Sequence, residues 1–206
     1  YGITPRHVRR IVAEAGVRNA PHPVPASPVL GDSWAVHTGD MSVLYDLIPD
    51  NSVHLFLTDP PWSGQSVDLY RRVAELASRK LVPGGLCVAF TGKYHLHEAL
   101  AGMLQHLAYY WFFSFELSDR HPVAWDKRIW SSWRPLIAVQ KPGGERRGGW
   151  LLDLLPSGRM SKEFHRWQQS LAPVKYLVEK LTIPGDLVVD PCCGSGTVGV
   201  ACRLLG

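Results

Sequence analysis

Between Trp34 and Gly206, short apolar segments alternate with amphipathic stretches, and no other feature constrains the fold as much. Trp34–Thr38, Val53–Thr58, Leu86–Thr91, Tyr109–Leu117, Pro135–Gln140 and Asp186–Asp190 read as strands. Met41–Ile48, Val67–Leu81, His95–Leu107 and Pro173–Leu181 read as helices, and another opens after Ser195. Their apolar residues fall three and four apart, as in Leu69, Val73 and Leu76, or Val174, Leu177, Val178 and Leu181. Such alternation predicts a largely parallel sheet with helices on both faces. In sheets of that kind, ligands bind in the loops at the carboxyl ends of the strands.

The chain has 206 residues, 46% of them hydrophobic, enough for one α/β domain but not for a second large one. No apolar run approaches the ~20 residues of a membrane span, and no signal-peptide pattern opens the chain, so it reads as soluble and intracellular. Cys87, Cys192, Cys193 and Cys202 form no Cys-x-x-Cys pair and read as reduced thiols. His95, His97 and His121 lack convincing ligand spacing, so no metal is expected. Tyr1 is not an initiator methionine and Gly206 falls within a helical pattern, which suggests a piece of something longer, incomplete at its C-terminus.

The net charge of +4 is uneven. Residues 1–20 carry Arg6, Arg9, Arg10 and Arg18 against Glu14. Lys127, Arg128, Arg134, Lys141, Arg146 and Arg147 face only Glu145 in the stretch 127–147. Localised basic surface suits a polyanion, and Arg6, Arg9, Arg10, Lys127, Arg128, Arg146 and Arg147 are the candidate contacts. A solvated face is the plainer alternative for each run. Residues 1–19 read as a basic helix, with Thr4-Pro5 at its start, Val8, Ile11, Val12 and Ala15 on one side, and Gly16 at its end. It has the look of a helix-turn-helix recognition helix. Four prolines between Ala20 and Ser33 make 20–33 a linker, leaving 34–206 as the main domain.

Two strand ends carry the chemistry. At the later one, Leu187-Val188-Val189-Asp190 runs into Pro191-Cys192-Cys193-Gly194-Ser195-Gly196-Thr197 and then a helix. Glycines there let backbone N–H groups approach a ligand, and a helix start favours negative charge. Gly194, Gly196 and Gly199 match dinucleotide spacing, but Asp190-Pro191 does not belong to that loop, and no Lys-Ser/Thr follows as a phosphate loop requires. At the earlier one, Val53–Thr58 runs into Asp59-Pro60-Pro61-Trp62. Consecutive prolines fix the turn. They hold the Asp59 carboxylate and the Pro60 carbonyl beside a large ring, two acceptors and a stacking surface suited to an amino group on a planar base. Each loop alone is also compatible with a purely structural turn.

Together, Asp-Pro-Pro-Trp and Asp-Pro-x-x-Gly-Ser-Gly-Thr resemble the amino-methyltransferases of DNA, the adenine-N6 and cytosine-N4 enzymes. The loop order matches their circularly permuted β class. The resemblance runs from about Gly39 to Leu205. It includes Gly39-Asp40, Pro49-Asp50-Asn51-Ser52-Val53, Leu81-Val82-Pro83-Gly84-Gly85-Leu86, Ala124-Trp125-Asp126-Lys127, Ser170-Leu171-Ala172-Pro173 and Pro184-Gly185-Asp186. It implies a Rossmann-like class I S-adenosylmethionine-dependent methyltransferase fold. It also implies a cytoplasmic enzyme of a prokaryote or phage, acting on DNA at the nucleoid, with a homodimer left open. Asp59, Pro60, Pro61 and Trp62 become the catalytic loop. Asp40, Trp167, Gln168, Ser170, Asp190, Cys192, Gly194, Ser195, Gly196 and Thr197 become the S-adenosylmethionine site. The resemblance favours adenine N6, because Asp rather than Ser stands first in the catalytic loop.

Three departures stand out. The acid that family members use for the cofactor ribose follows the glycine-loop helix, and this chain ends first, so another segment substitutes or the strand lies beyond Gly206. Cys192 stands where the family has Phe or Met. No long target-recognition segment separates the motifs, and Pro142–Lys162 is the only candidate. The rival readings are methylation of cytosine N4, of RNA adenine or of protein glutamine, a C5-methyltransferase using a cysteine nucleophile, and an inactive DNA-binding module.

Overall fold

A computed structural model describes residues 9–14, 34–117, 121–156 and 170–206, with backbone only at 9–14. The main sheet contains β1 (Arg9–Glu14), β2 (Trp34–Thr38), β3 (Val53–Thr58), β4 (Leu81–Phe90), β5 (Ala108–Glu116), β8 (Trp133–Gln140), β9 (Leu154–Leu155) and β10 (Leu187–Asp190). Strands β6 (Val123–Ala124) and β7 (Ile129–Trp130) form a separate hairpin. The helices are α1 (Leu44–Leu47), α2 (Val67–Lys80), α3 (Leu96–Met103), α4 (Leu171–Leu181) and α5 (Thr197–Leu205). Strand order is β2-β1-β10-β3-β4-β8-β5-β9, and β8 alone among these strands runs against the rest. The α/β expectation holds, with an antiparallel β8 added.

The inner strands are buried on both faces, in keeping with the run Leu55-Phe56-Leu57 in β3. Leu55, Leu57, Leu86, Val88 and Phe90 pack against Val174, Leu177 and Val178 of α4 and Val198 and Ala201 of α5. On the other face, Val53, Phe56, Cys87 and Ala89 meet Tyr70, Val73 and Ala77 of α2 and Ala99 and Met103 of α3. Burying each large side chain contributes on the order of 1.5–3 kcal/mol. The helix after β3 thus covers one face and the helix after β10 covers the other. A crevice opens between their starting loops, which is where such sheets bind ligands.

The chain departs from its sequence pattern in four places. The basic helix expected over 1–19 is, at Arg9–Glu14, a strand held between β2 and β10, with Arg10 paired to Trp34 and to Val188. Ile11-Val12-Ala13 fits a short buried strand as well as one helix face, and pairing on both sides decides between them. The recognition-helix reading falls with it, and these residues join the sheet of the main domain. The rest of the N-terminal segment and the 20–33 linker lie outside the described residues. Strand β4 starts five residues early, passing through Pro83-Gly84-Gly85 with a register shift between Val53 and Leu55. Gly84 (φ +83°) leaves no room for a side chain, since a Cβ would sit 2.2 Å from the Glu145 carbonyl. The helix expected over His95–Leu107 closes at Met103. The stretch 41–48 splits into a 3-10 turn at Met41–Val43 and the single turn α1.

Candidate active site

Strands β3 and β10 lie side by side, Val189 opposite Phe56, so the two candidate loops leave the sheet together. Thr58, buried at the end of β3, joins them. Its hydroxyl donates to the Asp190 carboxylate at 2.9 Å and accepts from the Cys192 backbone N–H at 3.2 Å. The same N–H reaches the Asp190 carboxylate at 3.1 Å. Asp190 is thereby held as an acceptor at the floor of the glycine turn rather than as a solvent-facing acid. Burial, together with the charge of Asp190, pushes the Cys192 thiol up to about 12, so it is neutral at physiological pH and no thiolate nucleophile.

Above Asp190 the loop is built for close approach. Gly194 takes φ +45° and a Cβ there would meet nothing within 4 Å. Gly196 takes φ +78° as the cap of α5, where its carbonyl accepts from Val200 and its N–H donates to Cys193. The Ser195 and Thr197 hydroxyls lie 3.2 Å apart at the helix start. Open space beside Gly194, two hydroxyls at the helix start and a buried carboxylate together suit a nucleoside bearing an amino acid.

Asp59 follows Thr58 directly, and the Trp62 indole N–H donates to its carboxylate at 2.9 Å. Pro60 is buried and Pro61 exposed. The Arg134 guanidinium, at the start of β8, lies 4.6 Å from the centre of the Trp62 ring. Its own burial lowers its pKa, and the negative charge of Asp59 offsets that in part. Gly92, beyond β4, backs the indole, where a Cβ would come within 3.2 Å of the Trp62 Cβ. Below the loop the Tyr70 hydroxyl donates to the Phe90 carbonyl, and burial raises its pKa. Arg134, Thr58 and Gly92 were not singled out by motif. Only their places at strand ends bring them to the loops.

Asp40 follows β2 and has a local role, accepting from the Ser42 N–H at 3.0 Å and from Arg72 at 2.9 Å. The Ser42 backbone bond is the main reason its pKa is lowered. Ser170 is buried at the start of α4. Trp167, Gln168 and Arg6 lie outside the described residues, and of Arg9 and Arg10 only the backbone is described. Lys127 and Arg128 are exposed, at the turn of the β6–β7 hairpin.

Arg146 and Arg147, expected at phosphate, make bonds within the fold. Arg146 donates to the Tyr110 hydroxyl and to the carbonyls of Arg147, Gly149 and Lys180. Arg147 pairs at 2.6 Å with Asp186, which is 1% exposed at the amino end of β10. Both guanidinium groups bond the fold at the edge opposite the two loops. Strand β10 has β1 on one side and β3 on the other.

Residues 118–206 match the family model described as DNA methylase, the N6/N4 methyltransferases. The type II methyltransferase M.HhaII of Haemophilus parahaemolyticus is 22% identical over 193 aligned positions, covering 78% of this chain and 82% of that protein. The PvuII DNA methyltransferase, described as cytosine-N4-specific, superposes with a TM-score of 0.73 at 19% identity, over 84% of this chain and 78% of that one. M1.HpyAVI, solved as a complex with S-adenosylmethionine, superposes at 0.65 with 20% identity, over 80% and 83%. Residues 118–206, which carry the glycine turn, thus match the N6/N4 DNA methylase family model, and the chain as a whole is similar to a type II DNA methyltransferase over most of its length.

Proposed function

We propose that the protein transfers a methyl group from S-adenosylmethionine to an exocyclic amino group of a DNA base, adenine N6 in particular. The observation that carries this reading is the Thr58–Asp190–Cys192 link, which fixes the Asp-Pro-Pro-Trp loop against the glycine turn. Asp190, Cys192, Gly194, Ser195, Gly196 and Thr197 hold the cofactor, with Asp40 and Ser170 flanking them. When bound, the cofactor supplies an electrophilic methyl on a sulfonium centre.

The chain's own contribution is to make a poor nucleophile reactive. The lone pair of an exocyclic amine is delocalised into its ring. Asp59 and the Pro60 carbonyl accept its two N–H groups, which favours a tetrahedral nitrogen and releases that lone pair. The proline pair keeps both acceptors in place before the base arrives, so orientation is prepaid. Trp62, tethered by its N–H to Asp59 and backed by Gly92, stacks on the base after it leaves the duplex. Arg134 places positive charge near the Asp59 carboxylate and over the Trp62 ring.

The fold does not choose the base, since the PvuII enzyme of similar architecture is described as cytosine-N4-specific. Asp at the first loop position supports adenine. Nucleoside mass spectrometry of DNA treated with protein and S-adenosylmethionine decides it. N6-methyladenine without N4-methylcytosine is expected, and N4-methylcytosine alone overturns the adenine assignment.

A further inference from the structure

Strands β5 and β8 meet at the same sheet edge as the two loops, and the chain between them makes the β6–β7 hairpin. A hairpin with two residues in each strand is marginal on its own, yet this one is braced. The Ser131 N–H donates to the Pro122 carbonyl, Lys93 Nζ donates to the Ser131 hydroxyl at 3.0 Å, and the Tyr94 hydroxyl donates to Asp126. Lys93 and Tyr94 belong to the loop after β4, next to the Gly92 that backs Trp62. The hairpin is therefore tied to the wall of the crevice.

Its turn closes through Lys127 N–H to Ala124 and Arg128 N–H to Trp125, with Arg128 in the left-handed region at φ 56°. That conformation is uncommon for a residue with a side chain. It is held where it presents a large ring next to two cations. Trp125 is 83% exposed and Trp130 70%, while Ile129 is also exposed. Burying an indole contributes strongly to stability, and a rigid apolar tip left in water is a binding surface by the usual logic of exposed patches. Lys127 and Arg128 flank it and Lys93 sits at its base, so the occupant is a polyanion with flat apolar parts.

We propose that the β6–β7 hairpin is a wedge for duplex DNA. The Trp125 ring enters the stack in the gap that the target base leaves on rotating into the crevice, and Lys127 and Arg128 hold the neighbouring phosphates. The wedge rests on the DNA amino-methyltransferase reading. Stacking in the gap offsets the unpairing and unstacking that base extrusion requires. Single-stranded DNA leaves no gap, so the ring has nothing to offset there.

The test compares one target sequence as a duplex and as a single strand, with the full chain and its Trp125→Ala and Trp125→Phe variants. For Trp125→Ala, kcat/KM on the duplex should fall about 10-fold or more, the scale of one lost base–aromatic stack, while the single strand stays within about two-fold. Trp125→Phe should recover most of the duplex rate. Equal loss on both substrates, or no loss on the duplex, overturns the wedge while leaving methyl transfer standing. No transfer by the unaltered chain to either substrate overturns the methyltransferase reading and the wedge with it.

Discussion

The basic run 127–147 is one feature in the sequence and two in the structure. Its first cations, Lys127 and Arg128, are exposed on a hairpin at the edge where the Asp-Pro-Pro-Trp loop and the glycine turn emerge. Its last, Arg146 and Arg147, bond backbone carbonyls and a buried aspartate at the other edge. Strand β8 lies between them, eight residues or roughly 26 Å long. A charge count cannot tell a cation offered to a ligand from one consumed by the fold. Which sheet edge each residue reaches, and what acceptors wait there, decides it. Cations at the carboxyl edge should therefore govern DNA binding, and those at the amino edge stability.

The largest effect that could break this division belongs to the carboxyl edge. Gly194→Val has room in the protein but places a branched side chain at φ +45° and over the cradle. A strained left-handed residue costs on the order of 1–3 kcal/mol. With the added obstruction, S-adenosylmethionine affinity of the folded variant by calorimetry should drop by about 100-fold, while Tm falls by only the several degrees that such strain accounts for. Unchanged affinity would detach the glycine turn from the cofactor.

At the amino edge, Arg146→Ala strips hydrogen bonds from three carbonyls and the Tyr110 hydroxyl. Unfolding by urea should show a loss of roughly 1–3 kcal/mol, with the salt dependence of DNA affinity unaltered. A flatter salt slope at full stability would return Arg146 to the phosphates. The complementary variant, Lys127→Gln with Arg128→Gln, should reduce that slope by about 2 and leave stability intact. No change in slope would remove the hairpin from the interface. The smallest effect sharpens the chemistry. Cys192→Ala should keep more than about a tenth of wild-type transfer, because its thiol is neutral and only its backbone N–H joins the loops. Complete loss would favour a cysteine nucleophile.

Most of the sheet was legible in the sequence, since Val53–Thr58 and Leu187–Asp190 are largely buried and mostly apolar. Both loops were legible because proline and glycine fix their backbones locally. What escaped depends on distant partners. Arg9–Glu14 has a pattern compatible with helix or strand, and only the gap between β2 and β10 resolves it. Arg134 carries no motif and reaches Trp62 solely because β8 runs antiparallel. The β6–β7 hairpin is too short for periodicity to reveal.

Asp59→Ala tests the central claim most directly. In the proposed function Asp59 touches the base and the neighbouring glycine turn holds the cofactor, so binding and transfer should separate. Single-turnover transfer from S-adenosylmethionine to DNA should fall by about 10²-fold or more, with cofactor affinity by calorimetry within a few-fold of wild type. Turnover above a tenth of wild type would contradict the account, and so would loss of cofactor binding in step with turnover.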